Sequence, residues 1–206
     1  MLRNKLGLKD PEKLEEAEFS ITATEISALD EDPVPGNFDL EHLQAIHKRL
    51  FDQLYDWAGE LRTVDLVKDG TQFAHVAHLS RAATDVFAQL RQDKWLKNLD
   101  EGAFLDGFTH YYSEVNILHP FREGNGRVQR AFFTLLAKYS GYHVAWDRMN
   151  QEDNIQASIA AYRGNEEPLA EILCPLLEWI DKDYFYFKRV DSHRFTTDRT
   201  MHNWPK

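Results

Sequence analysis

Residues 119 to 130 hold a dense set of groups that could do chemistry. From residue 117 the chain reads Ile-Leu-His-Pro-Phe-Arg-Glu-Gly-Asn-Gly-Arg-Val-Gln-Arg. His119 titrates near neutrality and can act as a general base. Pro120 forces its neighbour out of the α region, so a helix must end there. Gly124 and Gly126 give a turn without side-chain bulk, and a new helix is predicted over residues 126–140. The start of such a helix carries free N–H groups and the positive end of the dipole, which attract an anion. Arg127 and Arg130 stand three residues apart on its first turn and share nearly one face. Two arginines and several amides suit a polyphosphate. Glu123 beside that site would be repelled if alone. A bridging Mg²⁺ removes the conflict, because Mg²⁺ is often held by one or two carboxylates together with phosphate oxygens. Taken singly, each feature has an ordinary structural explanation. In this order and spacing, they indicate function.

These groups need elements to hold them. A helix is predicted over 11–29, with Leu14, Ala17, Phe19 and Ile21 among charges. Residues 30–37 (DEDPVPGN) read as a linker. A strongly amphipathic helix follows, with Leu40, Leu43, Ile46, His47, Leu50, Phe51 and Leu54 at helical spacing. Asn37 or Asp39 can cap its start, and Gly59 lies past its end. Residues 62–68 and 71–76 alternate around Asp69-Gly70, a hairpin signal and the one strand pair expected in the chain. A lone hairpin is marginal and must rest on helices or take a partner strand. Further helices are predicted over 79–95, around Phe104 to Val115, over 151–162 and over 168–180. The run Tyr184-Phe185-Tyr186-Phe187 is expected to pack back on the core, and the last dozen residues to be loosely held. The fold class expected is all-α, a helical bundle with one β-hairpin.

Composition excludes several classes. Of 206 residues, 43% are hydrophobic, enough for a proper core, and 34 acidic residues against 24 basic ones give a net charge of −10. That argues against a direct nucleic-acid binder, whose footprint is basic. The single cysteine, Cys174, lies in an apolar run and reads as a core residue in a reducing compartment. No signal peptide and no apolar run of membrane-spanning length is evident, so a cytoplasmic location is expected. The nine histidines show no His-Glu-x-x-His spacing, which counts against a metal-dependent hydrolase.

The stretch HPFREGNGRVQR resembles the signature of the Fic family, His-x-Phe-x-(Asp/Glu)-Gly-Asn-Gly-Arg-x-x-Arg, with every fixed position filled. The likeness extends to Ile46–Phe51, to Trp57-Ala58-Gly59-Glu60-Leu61-Arg62, to Asn116-Ile117-Leu118 and to Tyr162-Arg163-Gly164-Asn165. It covers residues 38–182, leaving an N-terminal helix and linker (1–37) and a C-terminal extension (183–206). The resemblance implies a Fic fold whose hairpin is a flap beside the active site. It implies a protein adenylyltransferase that moves AMP from ATP to a target hydroxyl. His119 would be the base and Glu123 the Mg²⁺ ligand. Gly124, Asn125 and Gly126 would cradle the α-phosphate region, and Arg127 and Arg130 would meet the outer phosphates. Phe121 would anchor the loop. Lys68, Asp69 and Phe73 at the flap tip would touch the nucleotide, with Tyr162 and Asn165 on the adenine side. The flap edge could add a strand of the target.

Gly126 and Gly124 favour AMP transfer, since kinase-like relatives carry Lys at the first position and some phosphocholine-transferring relatives carry Ala at the second. Many members have an inhibitory helix with the pattern (Ser/Thr)-x-x-x-Glu-(Gly/Asn). Here Ser27–Glu31 comes nearest, but Asp32 follows, and no Glu occurs after Glu178. The resemblance therefore implies a toxin held by a small antitoxin that supplies the glutamate in trans. The implied target is a bacterial type II topoisomerase, gyrase or topoisomerase IV. The alternatives are a deAMPylating hydrolase, which would need that glutamate, and a non-catalytic docking module, which would not need an intact signature.

Overall fold

Two antiparallel helices form the centre of the fold in this computed structural model, which describes residues 2–68 and 71–180. They are α4 (Glu101–Leu118) and α5 (Asn125–Ser140). α4 buries Phe104, Phe108, Tyr111, Tyr112 and Val115, the face its periodicity predicts. α5 buries Val128, Ala131, Phe132, Phe133, Leu135 and Leu136. Phe132 meets Phe38, Phe87 and Phe133 at ring separations of 5.5–5.7 Å. Each such side chain contributes about 1.5–3 kcal/mol by leaving water.

Other helices cover this pair. α2 (Leu40–Phe51), capped by the Asp39 side chain, lays Leu43, Ile46, Leu50 and Phe51 against α5. α3 (Val76–Gln92) packs on α4, as do α6 (Gln151–Tyr162) and α7 (Glu167–Leu173), which also pack on each other. α1 (Pro11–Ala28) packs on α2, and of its three buried residues, Leu14, Glu18 and Thr22, two are polar. α1 therefore docks through hydrogen bonds and ion pairs as much as through apolar area. Arg49 to Glu25 at 2.6 Å is one of them.

The flap is shorter than its pattern predicts. Only β1 (Val67–Lys68) and β2 (Thr71–Gln72) pair as strands. One more backbone bond, from the Phe73 N–H to the Leu66 carbonyl at 3.2 Å, continues the ladder. Further out the backbone is diverted: the Ala74 N–H bonds to Ile117 of α4, and the Val64 and Ala74 carbonyls accept from the Arg62 side chain. α3 begins three residues earlier than expected because Asp65 accepts the Val76 N–H and the His75 ring the Ala77 N–H.

The flap is also not the one strand pair. The helix expected over 168–180 stops at Leu173, where Pro175 follows closely and supplies no N–H. The chain then turns and adds β4 (Leu177–Trp179) antiparallel to β3 (Tyr142–Val144). Cys174 is exposed rather than core, while its neighbours Leu173 and Leu176 are buried. The asymmetry follows from the turn at α7's end, which faces only those two inward. Asp69, Gly70, the aromatic run at 184–187 and the extension 183–206 lie outside the described residues.

Candidate active site

α4 delivers His119 as its C-terminal cap, in the left-handed region at φ 43 and ψ 59. The proline that follows bars the α region to it. That conformation costs a non-glycine residue roughly 1–3 kcal/mol, so the surroundings must hold it. They do so at both ends. The His119 carbonyl accepts from Arg62 Nε at 2.8 Å, and its N–H donates to Val115 at 3.2 Å. Its ring stacks on Phe73 of the flap, centroids 3.8 Å apart and planes 15° from parallel.

The loop from 120 to 124 is fixed as tightly. The Asn125 side chain accepts the Phe121 N–H at 2.8 Å and donates to the Phe121 carbonyl at 2.7 Å. Its amide is thus consumed by the loop, leaving only its backbone to face a ligand. Phe121 is wholly buried and stacks on His47 at 4.0 Å, and His47 stacks on Phe51 at 4.8 Å. His47 Nδ1 accepts the Gly59 N–H at 2.7 Å. Nε2 therefore carries the proton and donates to the Glu123 carbonyl at 3.2 Å. Gly124 then turns at φ 80, and a Cβ there would lie 2.1 Å from the Phe51 ring. Only glycine combines that φ with that approach.

α5 starts directly after Gly124, and no side chain caps it. Its first-turn N–H groups are left without side-chain partners, the kind of donors that can take an anion. A Cβ at Gly126 would meet only Arg130 Nη1, at 3.5 Å, so the mouth of the helix is open. The two signature arginines have different partners. Arg127 Nη2 lies 2.9 Å from Glu18 and 3.3 Å from Glu123, with Nη1 3.4 Å from the Thr22 hydroxyl. Its guanidinium rests over the Phe51 ring at 4.8 Å. Tyr55 donates its hydroxyl to Glu18. Burial first, and then this bond, push the Tyr55 pKa up, so it stays a donor. Arg130 instead faces the buried Tyr112 hydroxyl, as does Asn154 of α6.

Glu123 is 44% exposed at this mouth, with Oε1 2.7 Å from the Gly124 N–H. No group of three or more His, Cys, Asp or Glu placed to hold a metal ion occurs among the described residues. The described residues form no cage for a metal by themselves. One exposed carboxylate at an anion site fits Mg²⁺ that completes its shell with phosphate oxygens and water.

A cavity of about 110 Å³ opens between the flap, the end of α4 and α6. Lys68, Phe73, His119 and Tyr162 all line it, together with Asn116 and Asn154. Asn165 does not; it is exposed and accepts the Glu167 N–H at the start of α7. A larger hollow of about 370 Å³, lined by Arg3, Trp57, Glu60 and Arg122, contains none of the predicted nucleotide contacts.

Burial lowers the pKa of His119 to about 4, against a partial upward pull from the Asn116 carbonyl and with small further decreases from Lys68 and Arg62. Its Nδ1 is buried without a properly aligned hydrogen-bond partner among the described residues. The imidazole is therefore neutral at physiological pH and able to take a proton. His47 is likewise lowered to about 4, first by burial.

Arg62, His47, Glu18, Tyr55 and Asn154 were not singled out from the sequence as site residues. The first two lie in stretches that resemble the family, but nothing in their spacing reveals their partners. Glu18 meets Arg127 across 109 residues of chain.

Comparison with known proteins shows the family and the fold. The Fic/DOC family profile matches residues 37–137. The chain is 35% identical over its full length to "Protein adenylyltransferase VbhT" of Bartonella schoenbuchensis, and spans 44% of that protein. It is 34% identical to "Probable protein adenylyltransferase Fic" of Escherichia coli K12, over 80% of this chain and 82% of the relative. Among solved structures, BepC of Bartonella tribocorum with bound AMPPNP superposes at TM-score 0.83 and 27% identity, covering 88% of this chain and 94% of that one. The N-terminal Fic domain of a Bartonella quintana effector with bound ADP superposes at 0.85 and 28%, covering 90% and 94%. With its mostly helical Fic fold and intact signature, the chain belongs to the Fic/DOC family, among relatives that are named as protein adenylyltransferases.

Proposed function

We propose that the chain transfers AMP from ATP to a hydroxyl side chain of another protein. The observation that carries this is one juxtaposition. A buried, neutral His119 stands on the wall of a cavity, joined by a five-residue pinned loop to the uncapped start of α5. The relatives' names and the nucleotides bound to BepC and to the Bartonella quintana domain support the same reading.

In this reaction the polyphosphate lies against the glycine turn at Gly124 and the N–H groups of Asn125 to Arg127, which align it and offset its charge. Arg130 meets the outer phosphates. Arg127, held by Glu18, braces Glu123. Lys68, Phe73 and Tyr162 border the nucleoside side. Asn165 fixes the start of α7 by accepting the Glu167 N–H. Glu123 would hold Mg²⁺, which when bound neutralises phosphate charge. His119 takes the proton of the target hydroxyl, whose oxygen attacks the α-phosphorus. The bond to the β-phosphate oxygen breaks and pyrophosphate leaves. The rate comes from positioning and charge compensation.

The exposed residues of β1, Val67 and Lys68, offer an edge to which an extended target segment could add as a strand. Arg130 has no carboxylate partner among the described residues. A glutamate supplied in trans by a small antitoxin would fit it, which makes the chain the toxin of a pair. A bacterial type II topoisomerase ATPase subunit is the target suggested by the resemblance, and the cytoplasm is the matching compartment. No helix among the described residues is long and apolar enough to cross a membrane.

The test incubates the purified chain with bacterial lysate, Mg²⁺ and ATP labelled at the α-phosphate. A labelled protein band is expected, falling by about 10²-fold or more with His119→Ala. Label from γ-labelled but not α-labelled ATP would overturn AMP transfer.

A further inference from the structure

Arg62 is the most completely buried charged group near the site. Its side chain is 0% exposed, and its nearest carboxylate oxygen, on Asp65, is 3.9 Å away. Asp65 is already engaged, taking the Val76 N–H at 2.7 Å and facing His75 at 3.0 Å. An isolated buried cation is costly unless dipoles surround it. Here they are backbone carbonyls from two directions. From the end of α4 come His119, 2.8 Å from Nε, and Leu118, 3.3 Å from Nη2. From the flap come Val64, 2.8 Å from Nη1, and Ala74, bonded to Nη2. The Arg62 main chain adds a bond from its N–H to Pro120 at 2.9 Å. The Ala74 N–H returns to Ile117 at 3.0 Å.

Two features set this apart from a simple helix cap. α4 has no basic residue in its last turn, so Arg62 supplies the cation that its carbonyl end attracts. A cap alone would need only those carbonyls, yet Arg62 gives as many donors to the flap. The planar fork of guanidinium can bridge the two sets, whereas the single ammonium of lysine cannot. The residues so joined include His119, whose left-handed backbone needs support, and the segments that flank the exposed strands.

We propose that Arg62 is a positioning residue that welds the flap to the backbone of His119, so that seating a target strand and placing the base are one mechanical event. The role of the base rests on the AMP-transfer reading; the weld itself does not.

The test uses the full chain and Arg62→Lys, which keeps the charge and loses the fork. Three quantities are measured: AMPPNP binding by calorimetry, backbone amide exchange, and initial rates of α-label transfer against ATP concentration. AMPPNP affinity is expected within about threefold of the parent, as a check on folding. Exchange across residues 63–76 should rise by about tenfold or more, with α2 and α5 unchanged. The apparent kcat should fall by about tenfold or more, with KM for ATP moving less than about threefold. Unchanged exchange in the flap, or an unchanged kcat per AMPPNP-binding molecule, would overturn the proposal. If Arg62→Lys fails to fold, amide exchange of the parent chain decides instead: the Phe73 and Ala74 amides should open together with that of His119, and independent opening would overturn the proposal. If the parent itself transfers no AMP, the AMP-transfer reading fails while the exchange result still decides the weld.

Discussion

Gly124→Ala adds one methyl group and no charge, yet it should be among the most damaging small changes available. Its cost has two parts. At φ 80 an alanine sits in the left-handed region, which disfavours a side chain by about 1–2 kcal/mol. The new Cβ would also lie 2.1–2.4 Å from the Phe51 ring. That ring cannot simply turn aside, since it is stacked against His47 and carries Arg127 over its face. Overpacking of this kind costs about 1–3 kcal/mol. The sum is about 2–5 kcal/mol, or a fall in Tm near 10 °C at about 2–4 °C per kcal/mol for a chain of this size. Thermal unfolding of Gly124→Ala, Phe51→Leu and the double variant separates the two parts. Phe51→Leu removes the ring edge that is struck, so the double variant should recover the steric part and leave the backbone part. A Gly124→Ala protein melting within about 2 °C of the parent, or a double variant with no coupling, would refute the reasoning.

Acid should weaken the fold through His47. Folded, its pKa is about 4 against an ordinary 6.5, so the unfolded chain binds the proton first. The stabilisation is complete above pH 6.5 and is lost as the pH falls towards 4, by about 3 kcal/mol at most. Protonation of Nδ1 would break the bond from Gly59, and denaturant titrations across this window should show a shallower acid limb in His47→Gln than in the parent. Glu18→Gln should leave Arg127 braced by Glu123 and Thr22 alone, at a cost of about 1–3 kcal/mol in denaturant stability. An unchanged midpoint would show that Glu18 does not hold Arg127 in place. Because His119 stays neutral down to about pH 4, the AMP-transfer rate should hold between pH 8 and 6, and a decline centred near 6.5 would point to another base.

Much of this protein was legible along the chain because the relevant physics is local. Helical periodicity of Phe104, Phe108, Tyr111, Tyr112 and Val115 is a property of neighbours three and four apart, and α4 buries that face. The stop at Pro120 and the glycine turn at Gly124 are likewise backbone rules, and α5 begins within one residue of the predicted position. The order of His119, Glu123, the glycines and the two arginines was enough to mark the family.

Other features depend on where distant segments meet. Arg62 stands in an alternating stretch that reads as strand, and only the packed structure shows its side chain among four carbonyls. Trp179 pairs across from Tyr142 because Pro175 ends a helix whose apolar pattern would otherwise continue. Glu18 and Arg127 are separated by 109 positions and meet only because α1 docks on α2. The sequence by itself therefore determined the elements and the chemical groups of the site. Tertiary packing decided which group each one faces, since a buried charge takes its partner from whatever the fold brings near it.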